Sequence, residues 1–140
     1  MLSQQEIDEY NENGYILARN VVSKKQLTEL QRLTYEFIEN SKDVNESNNI
    51  YDLDEGHSKN EPRLTRVKLP HKQNPYFWNI IKESKIHSIL KLILGENILL
   101  QTSKLNTKAP GGGASVEWHQ DLAFYPLTND SALAVGLFLE

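Results

Sequence analysis

The chain has 140 residues, 39% of them hydrophobic and 24% charged, which suits one soluble globular domain with enough apolar material for a core. Its formal net charge is -4, and its basic residues are spread along the chain, so no stripe for nucleic acid stands out. There is no cysteine, which excludes disulfides, zinc–thiolate and iron–sulfur sites and cysteine nucleophiles, and leaves any metal to nitrogen and oxygen ligands.

The first residues, Met1 to Glu6, lack the charged-then-apolar pattern of a signal peptide. Ser3-Gln4-Gln5-Glu6 reads instead as a capping box that opens a short helix, with Ile7 and Tyr10 inward and Gly14 as its stop. Tyr15 to Ala18 then reads as a strand. Ser23, with Gln26 in the reciprocal position, opens a second helix running to about Asn40, along which Leu27, Leu30, Leu33, Tyr35, Phe37 and Ile38 follow a helical stripe. Residues 41–62 are polar and aperiodic, as in a long loop.

Arg63 to Leu69 alternates like a strand, with Leu64, Arg66 and Lys68 on one face and Arg63, Thr65, Val67 and Leu69 on the other; Pro70 ends it. Pro75 starts a helical turn carrying Phe77, Trp78 and Ile81. Ser84 caps a further helix with Ile86, Ile89, Leu90 and Ile93 inward, stopped by Gly95. Strand character returns from Ile98 to Thr107, a turn follows at Ala109 to Gly113, and short strands are expected at Ser115–Asp121 and Ala132–Leu139. The longest apolar runs, such as Ile98-Leu99-Leu100, are far too short to cross a bilayer, so no membrane partner is expected and a cytoplasmic location is the default. The pattern predicts an α+β fold in a single domain, residues 1–140, helical to about residue 95. A chain stopping on an apolar strand with no partner is expected to be a fragment of a longer protein.

The segment that carries chemistry is Ser115-Val116-Glu117-Trp118-His119-Gln120-Asp121-Leu122-Ala123-Phe124-Tyr125-Pro126. Residues two apart on extended backbone point to one side, so His119 and Asp121 can offer an imidazole nitrogen and a carboxylate oxygen to one ion. With a third histidine they would form the 2-His-1-carboxylate arrangement that leaves positions open on Fe(II). A bare His-x-Asp is weak by itself, since a surface hydrogen-bonded pair has the same spelling. Glu117 shares the face, but four strand residues span about 13 Å, at roughly 3.3 Å each, so it reads as a flanking polar residue. His57, His71 and His87 read as solvated or satisfied side chains, and Trp118, Phe124 and Tyr125 as core or cleft-wall aromatics.

Trp118-His119-Gln120-Asp121, the following aromatic pair and proline, Leu127-Thr128-Asn129-Asp130 and the apolar stretch after it closely resemble the phytanoyl-CoA dioxygenase family. So do Lys104 to Gly113, a strand running into a Pro-Gly turn, and Asn13-Gly14-Tyr15 after a capped helix. The resemblance implies N-terminal helices packed outside a double-stranded β-helix (a cupin-like jelly roll) that begins at about residue 96 and is truncated here.

It also implies His119 and Asp121 as catalytic iron ligands, and 2-oxoglutarate contacts at Arg66, Lys104, Gln120 and Leu137, the last where some relatives carry Trp. The cofactors implied are Fe(II), 2-oxoglutarate as cosubstrate and O2, with ascorbate a candidate auxiliary reductant. The family's third ligand and its 2-oxoglutarate-gripping Arg lie further downstream. The chain alone is thus expected to bind Fe(II) weakly and not to turn over a small-molecule substrate. Two other readings stay open: a non-catalytic jelly-roll interaction module, and a cupin-like protein holding another metal.

Overall fold

The computed structural model describes residues 2–108, 115–125, 127–129 and 131–139. The chain divides into two compact units, Met1–Thr34 with Leu69–Ser103 and Tyr35–Lys68 with Lys104–Glu140. The first is helical. The second carries a three-stranded antiparallel sheet.

In the helical unit, α1 spans Gln4–Asn13. Its capping box forms as expected: Glu6 N donates to Ser3 Oγ, and Ser3 N donates to the Glu6 carboxylate at 2.7 Å. Gly14 takes the left-handed conformation that ends the helix (φ 77°), and its N–H donates to Tyr10 O. Ile7 and Tyr10 reach only half-burial. Tyr15–Ala18 forms no strand; Ile16 and Ala18 are half-buried while Tyr15 and Leu17 are exposed. The alternation is there, but a strand exists only through a ladder, and no described strand pairs with this segment.

Helix α2 spans Lys24–Ser41, and its residues up to Thr34 belong to the helical unit. Ser23 and Gln26 cap it reciprocally: Ser23 N donates to Gln26 Oε1 at 2.8 Å and Gln26 N to Ser23 Oγ at 3.2 Å. Leu30 and Leu33 form its buried stripe. Tyr35, five positions from Leu30 and off that face, is 68% exposed, which corrects its place in the expected stripe.

Three short helices follow: α3 at Pro70–Gln73, α4 at Pro75–Glu83 and α5 at Lys85–Leu94. Asn74 Oδ1 accepts from Tyr76 N, and Ser84 Oγ accepts from Ile86 N, so each of the two longer helices has a side-chain cap. Phe77, Ile80 and Ile86 are buried. Trp78, beside the buried Phe77 on that turn, is 40% exposed and lies against His71, ring centroids 6.0 Å apart. His71 Nδ1 is hydrogen-bonded to Ser103 Oγ.

In the second unit, β1 (Tyr51–Leu53), β2 (Leu64–Lys68) and β3 (Lys104–Asn106) make an antiparallel sheet in the order β1-β2-β3. Residues 41–62 are therefore not all loop, because β1 lies inside them. The segment is also tied down by its own polar side chains. Asn48 Oδ1 accepts from Ile50 N and Tyr51 N, and Ser47 Oγ accepts from Leu53 N. The His57 ring spans two backbone groups: Arg63 N donates to Nδ1 at 2.8 Å, which leaves Nε2 to donate to Ser41 O at 3.0 Å.

The faces of β2 differ from simple alternation. Tyr51 pairs with Val67 and Asp52 with Arg66, but Leu53 pairs with Leu64, so Thr65 is an extra residue on β2. This β-bulge changes the parity and turns Leu64 to the same buried side as Val67, which has no exposed surface. Thr65 Oγ1 secures the bulge by donating to Asp52 O at 3.0 Å. Leu64 thus does not share a face with Arg66 and Lys68.

The strand expected over Ile98–Thr107 contracts to β3. Ser115–Asp121 and the apolar segment from Ala132 form no strand, since neither finds a ladder partner among the described residues. The turn at Ala109–Gly113 lies outside the described residues, as do Pro126 and Asp130. The α+β class holds, whereas the described residues contain no double-stranded β-helix. No described helix is long and apolar enough to cross a membrane.

Leu30 is 2% exposed, and truncation to Ala should cost about 2–5 kcal/mol in urea unfolding, whereas Tyr35→Ala should stay within about 0.5 kcal/mol of wild type. Desolvation, with Lys72 nearby, holds the His71 pKa below its ordinary value. The unfolded chain therefore takes up this proton first as the pH falls. Stability from this group is complete above about pH 6.5 and declines as the pH drops from there to the lowered value. His71→Gln should remove that part of the slope when unfolding is followed across this window.

Candidate metal centre

The backbone through Gln120 is extended (φ -106°, ψ 127°), and Asp121 then enters a 3-10 turn, Asp121–Ala123. Ala123 N donates to Gln120 O and Phe124 N to Asp121 O, closing that turn. Extended backbone between the two residues is what the side-by-side geometry requires, and a ladder is not. His119 Nε2 accordingly lies 3.3 Å from Asp121 Oδ1. The convergence expected from the sequence is present although the expected strand is not.

The other ring nitrogen is committed. His119 Nδ1 sits 2.7 Å from Glu117 O, a carbonyl that can only accept, so Nδ1 carries a proton. In the neutral ring Nε2 then presents a lone pair toward a carboxylate oxygen. Two acceptors facing each other are satisfied by a proton on Nε2 or by a shared cation. Two cis donors each about 2.1 Å from a six-coordinate ion lie about 3.0 Å apart, close to the observed separation. The donor set, one imidazole nitrogen oriented by a backbone carbonyl and one carboxylate oxygen, fits a non-haem ferrous ion.

Glu117 contributes its carbonyl rather than its side chain, whose carboxylate accepts from Ser115 Oγ at 3.3 Å. Phe124 places its ring edge-on to His119, centroids 5.6 Å apart and planes at 83°. Trp118, expected in a core or cleft wall, is fully exposed. The pair itself is open to solvent, with His119 on one side of a shallow depression that Val116, Glu117 and Trp118 also line. No cluster of three or more metal-binding side chains occurs among the described residues.

The remaining site residues separate into two groups. Arg66 and Lys104 both belong to the sheet, on β2 and β3. Arg66 stands opposite Asn106, with its Nε 3.3 Å from Asn106 Oδ1, and Lys104 stands opposite Lys68. Directly opposed residues project to one side, so Arg66, Lys68 and Lys104 share the sheet's polar face. Gln120 lies exposed between His119 and Asp121, and Leu137 is half-buried. Asp52 was not singled out by the sequence reading. It sits opposite Arg66 with its carboxylate 2.7 Å from Lys68 Nζ and 3.5 Å from Arg66 Nη1. Its only sequence signal is the apolar-polar-apolar triplet Tyr51-Asp52-Leu53 within a polar stretch.

A family model described as phytanoyl-CoA dioxygenase matches residues 10–140. The chain belongs to that family. Among curated relatives, a protein of Stutzerimonas stutzeri described as a probable alpha-ketoglutarate-dependent hypophosphite dioxygenase is 34% identical over 132 residues. The match covers 94% of this chain and 46% of the relative, so the chain spans about half the length of that relative. No solved structure matches this chain.

Because only the Glu117 carbonyl bears on His119, Glu117→Ala should leave Fe(II) affinity within about threefold. His119→Ala should weaken it by more than the roughly 10–100-fold typical of losing an outer partner. Anaerobic metal titration of the full-length protein reads both.

Proposed function

We propose that this chain supplies the first two iron ligands, His119 and Asp121, of an Fe(II)- and 2-oxoglutarate-dependent dioxygenase that hydroxylates a small molecule. The observation carrying the reading is the convergence of His119 Nε2 and Asp121 Oδ1 at 3.3 Å, with the ring oriented by Glu117 O. Membership of the phytanoyl-CoA dioxygenase family, and a relative named as an alpha-ketoglutarate-dependent dioxygenase, support it. The third ligand and the arginine gripping the cosubstrate come, on this reading, from the part of the protein corresponding to the relative's unmatched length. On this reading Ala132–Leu139, where Val135 and Phe138 are exposed, belongs to a jelly-roll strand.

Ferrous iron with 2-oxoglutarate supplies the oxidising chemistry: one oxygen atom of O2 enters succinate, released with carbon dioxide, and the other enters the hydroxylated product. The protein's share is placement. The Glu117 carbonyl holds the His119 tautomer that presents Nε2, and the 3-10 turn fixes Asp121 beside it. Arg66 and Lys104 offer positive charge from the sheet to the dicarboxylate, while Gln120 and Leu137 flank the same cosubstrate.

A narrower reading of the substrate is favoured by the relative. Its name specifies hypophosphite, and its 34% identity extends over nearly all of this chain. A small phosphorus oxyanion is accordingly the first substrate to assay, ahead of acyl-CoA thioesters.

Full-length protein with Fe(II) and 2-oxoglutarate should consume O2 and release succinate. His119→Ala and Asp121→Ala should each lower that rate by at least about a hundredfold, since losing a ligand exceeds losing its outer partner. Succinate formation surviving in His119→Ala would sink the metal assignment.

A further inference from the structure

The polar face of the sheet holds two charged groups that the cosubstrate reading leaves unassigned, Lys68 and Asp52. Arg66, Lys68 and Lys104 bring three cations to that face, and Asp52 places a carboxylate among them. Its two oxygens are divided, Oδ1 2.7 Å from Lys68 Nζ and Oδ2 3.5 Å from Arg66 Nη1. Both cations are further fixed: Lys68 Nζ donates to Asn48 O at 2.7 Å, and Arg66 Nε to Asn106 Oδ1 at 3.3 Å. Asp52 is itself fixed, its carbonyl held by Thr65 Oγ1 at the bulge. This is a built arrangement on paired strands, unlike the ion pairs of long side chains on exposed helix faces, which cost entropy to hold.

We infer that Asp52 is an internal counter-anion: it positions Arg66 and Lys68 in the free protein and competes with the carboxylate of an incoming anionic cosubstrate. The inference rests on the reading that 2-oxoglutarate meets Arg66. Asp52 stands to Arg66 as the ligand's carboxylate would, at the cost of part of the attraction the bare cations would exert. Its side chain is 28% exposed and those of Arg66 and Lys68 about 40%, so solvent screens the competition and the effect is modest. Removing one negative charge a few ångströms from a bound carboxylate changes affinity by about three- to tenfold under such screening.

The experiment is calorimetric titration of 2-oxoglutarate into full-length, Fe(II)-loaded protein without oxygen or primary substrate, so that affinity is read apart from turnover. Asp52→Asn should bind about three- to tenfold more tightly at low salt, the gain shrinking near about 0.5 M salt. Asp52→Glu, which keeps the charge, should return affinity to within about twofold of wild type. Lys68→Met, which leaves the carboxylate to Arg66 alone, should weaken binding by a similar factor, and it stands as a second test should Asp52→Asn fail to fold. Wild-type binding with equal or weaker binding by Asp52→Asn would overturn the role of Asp52 alone. If wild type does not bind 2-oxoglutarate, the cosubstrate reading falls and this inference falls with it.

Discussion

Thr65, the β2 residue skipped between the Asp52–Arg66 and Leu53–Leu64 pairs, decides the character of both faces of the sheet. Without it, Leu64 would project with Arg66 and Lys68, and the strand would carry an apolar side chain among its cations. With it, Leu64 and Val67 lie buried on one side and the two cations stand on the other. The hydroxyl of Thr65 reaches Asp52 O, so the residue that makes the bulge also fastens the acidic partner of those cations. Packing on one face and charge on the other are thus linked through a single backbone irregularity.

What the sequence made legible was what depends on near neighbours. The capping boxes at Ser3 and Ser23, the glycine stops at Gly14 and Gly95, and the cap at Ser84 are satisfied within four residues or fewer. His119 and Asp121 converge for the same reason, since only Gln120 need be extended. Strands were less legible because a strand is a relation between distant segments. Tyr15–Ala18 keeps the alternating exposure of a strand and lacks a partner, while Tyr51–Leu53, three residues within a polar run, has one. The bulge could not be read at all, because Thr65 looks like any other alternating position until its pairing with β1 is known.

The candidate metal centre and the sheet show two ways of orienting a side chain. The His119 ring is set by a carbonyl two residues back, which costs the fold little and leaves the pair exposed. Arg66 is set by partners from the neighbouring strands, Asp52 on one side and Asn106 on the other. The first arrangement travels with a short peptide segment. The second exists only when residues some forty positions apart come together, so it is sensitive to anything that disturbs strand pairing.

His57 has a consequence of another kind. Its ring accepts from the backbone of Arg63, at the threshold of β2, and donates to the carbonyl of Ser41, at the end of α2. The chain between those points is closed into a loop by one side chain, as a clasp closes a strap. Inside the clasp, the residues connecting β1 to β2 can lengthen or shorten at little cost, since closure entropy grows only slowly with length, whereas Tyr51–Leu53 stays bound to β2. Diversification of those connecting residues is therefore cheap wherever the clasp is kept. The same ring that looks like an idle histidine in a polar stretch sets how freely the connection around it can vary.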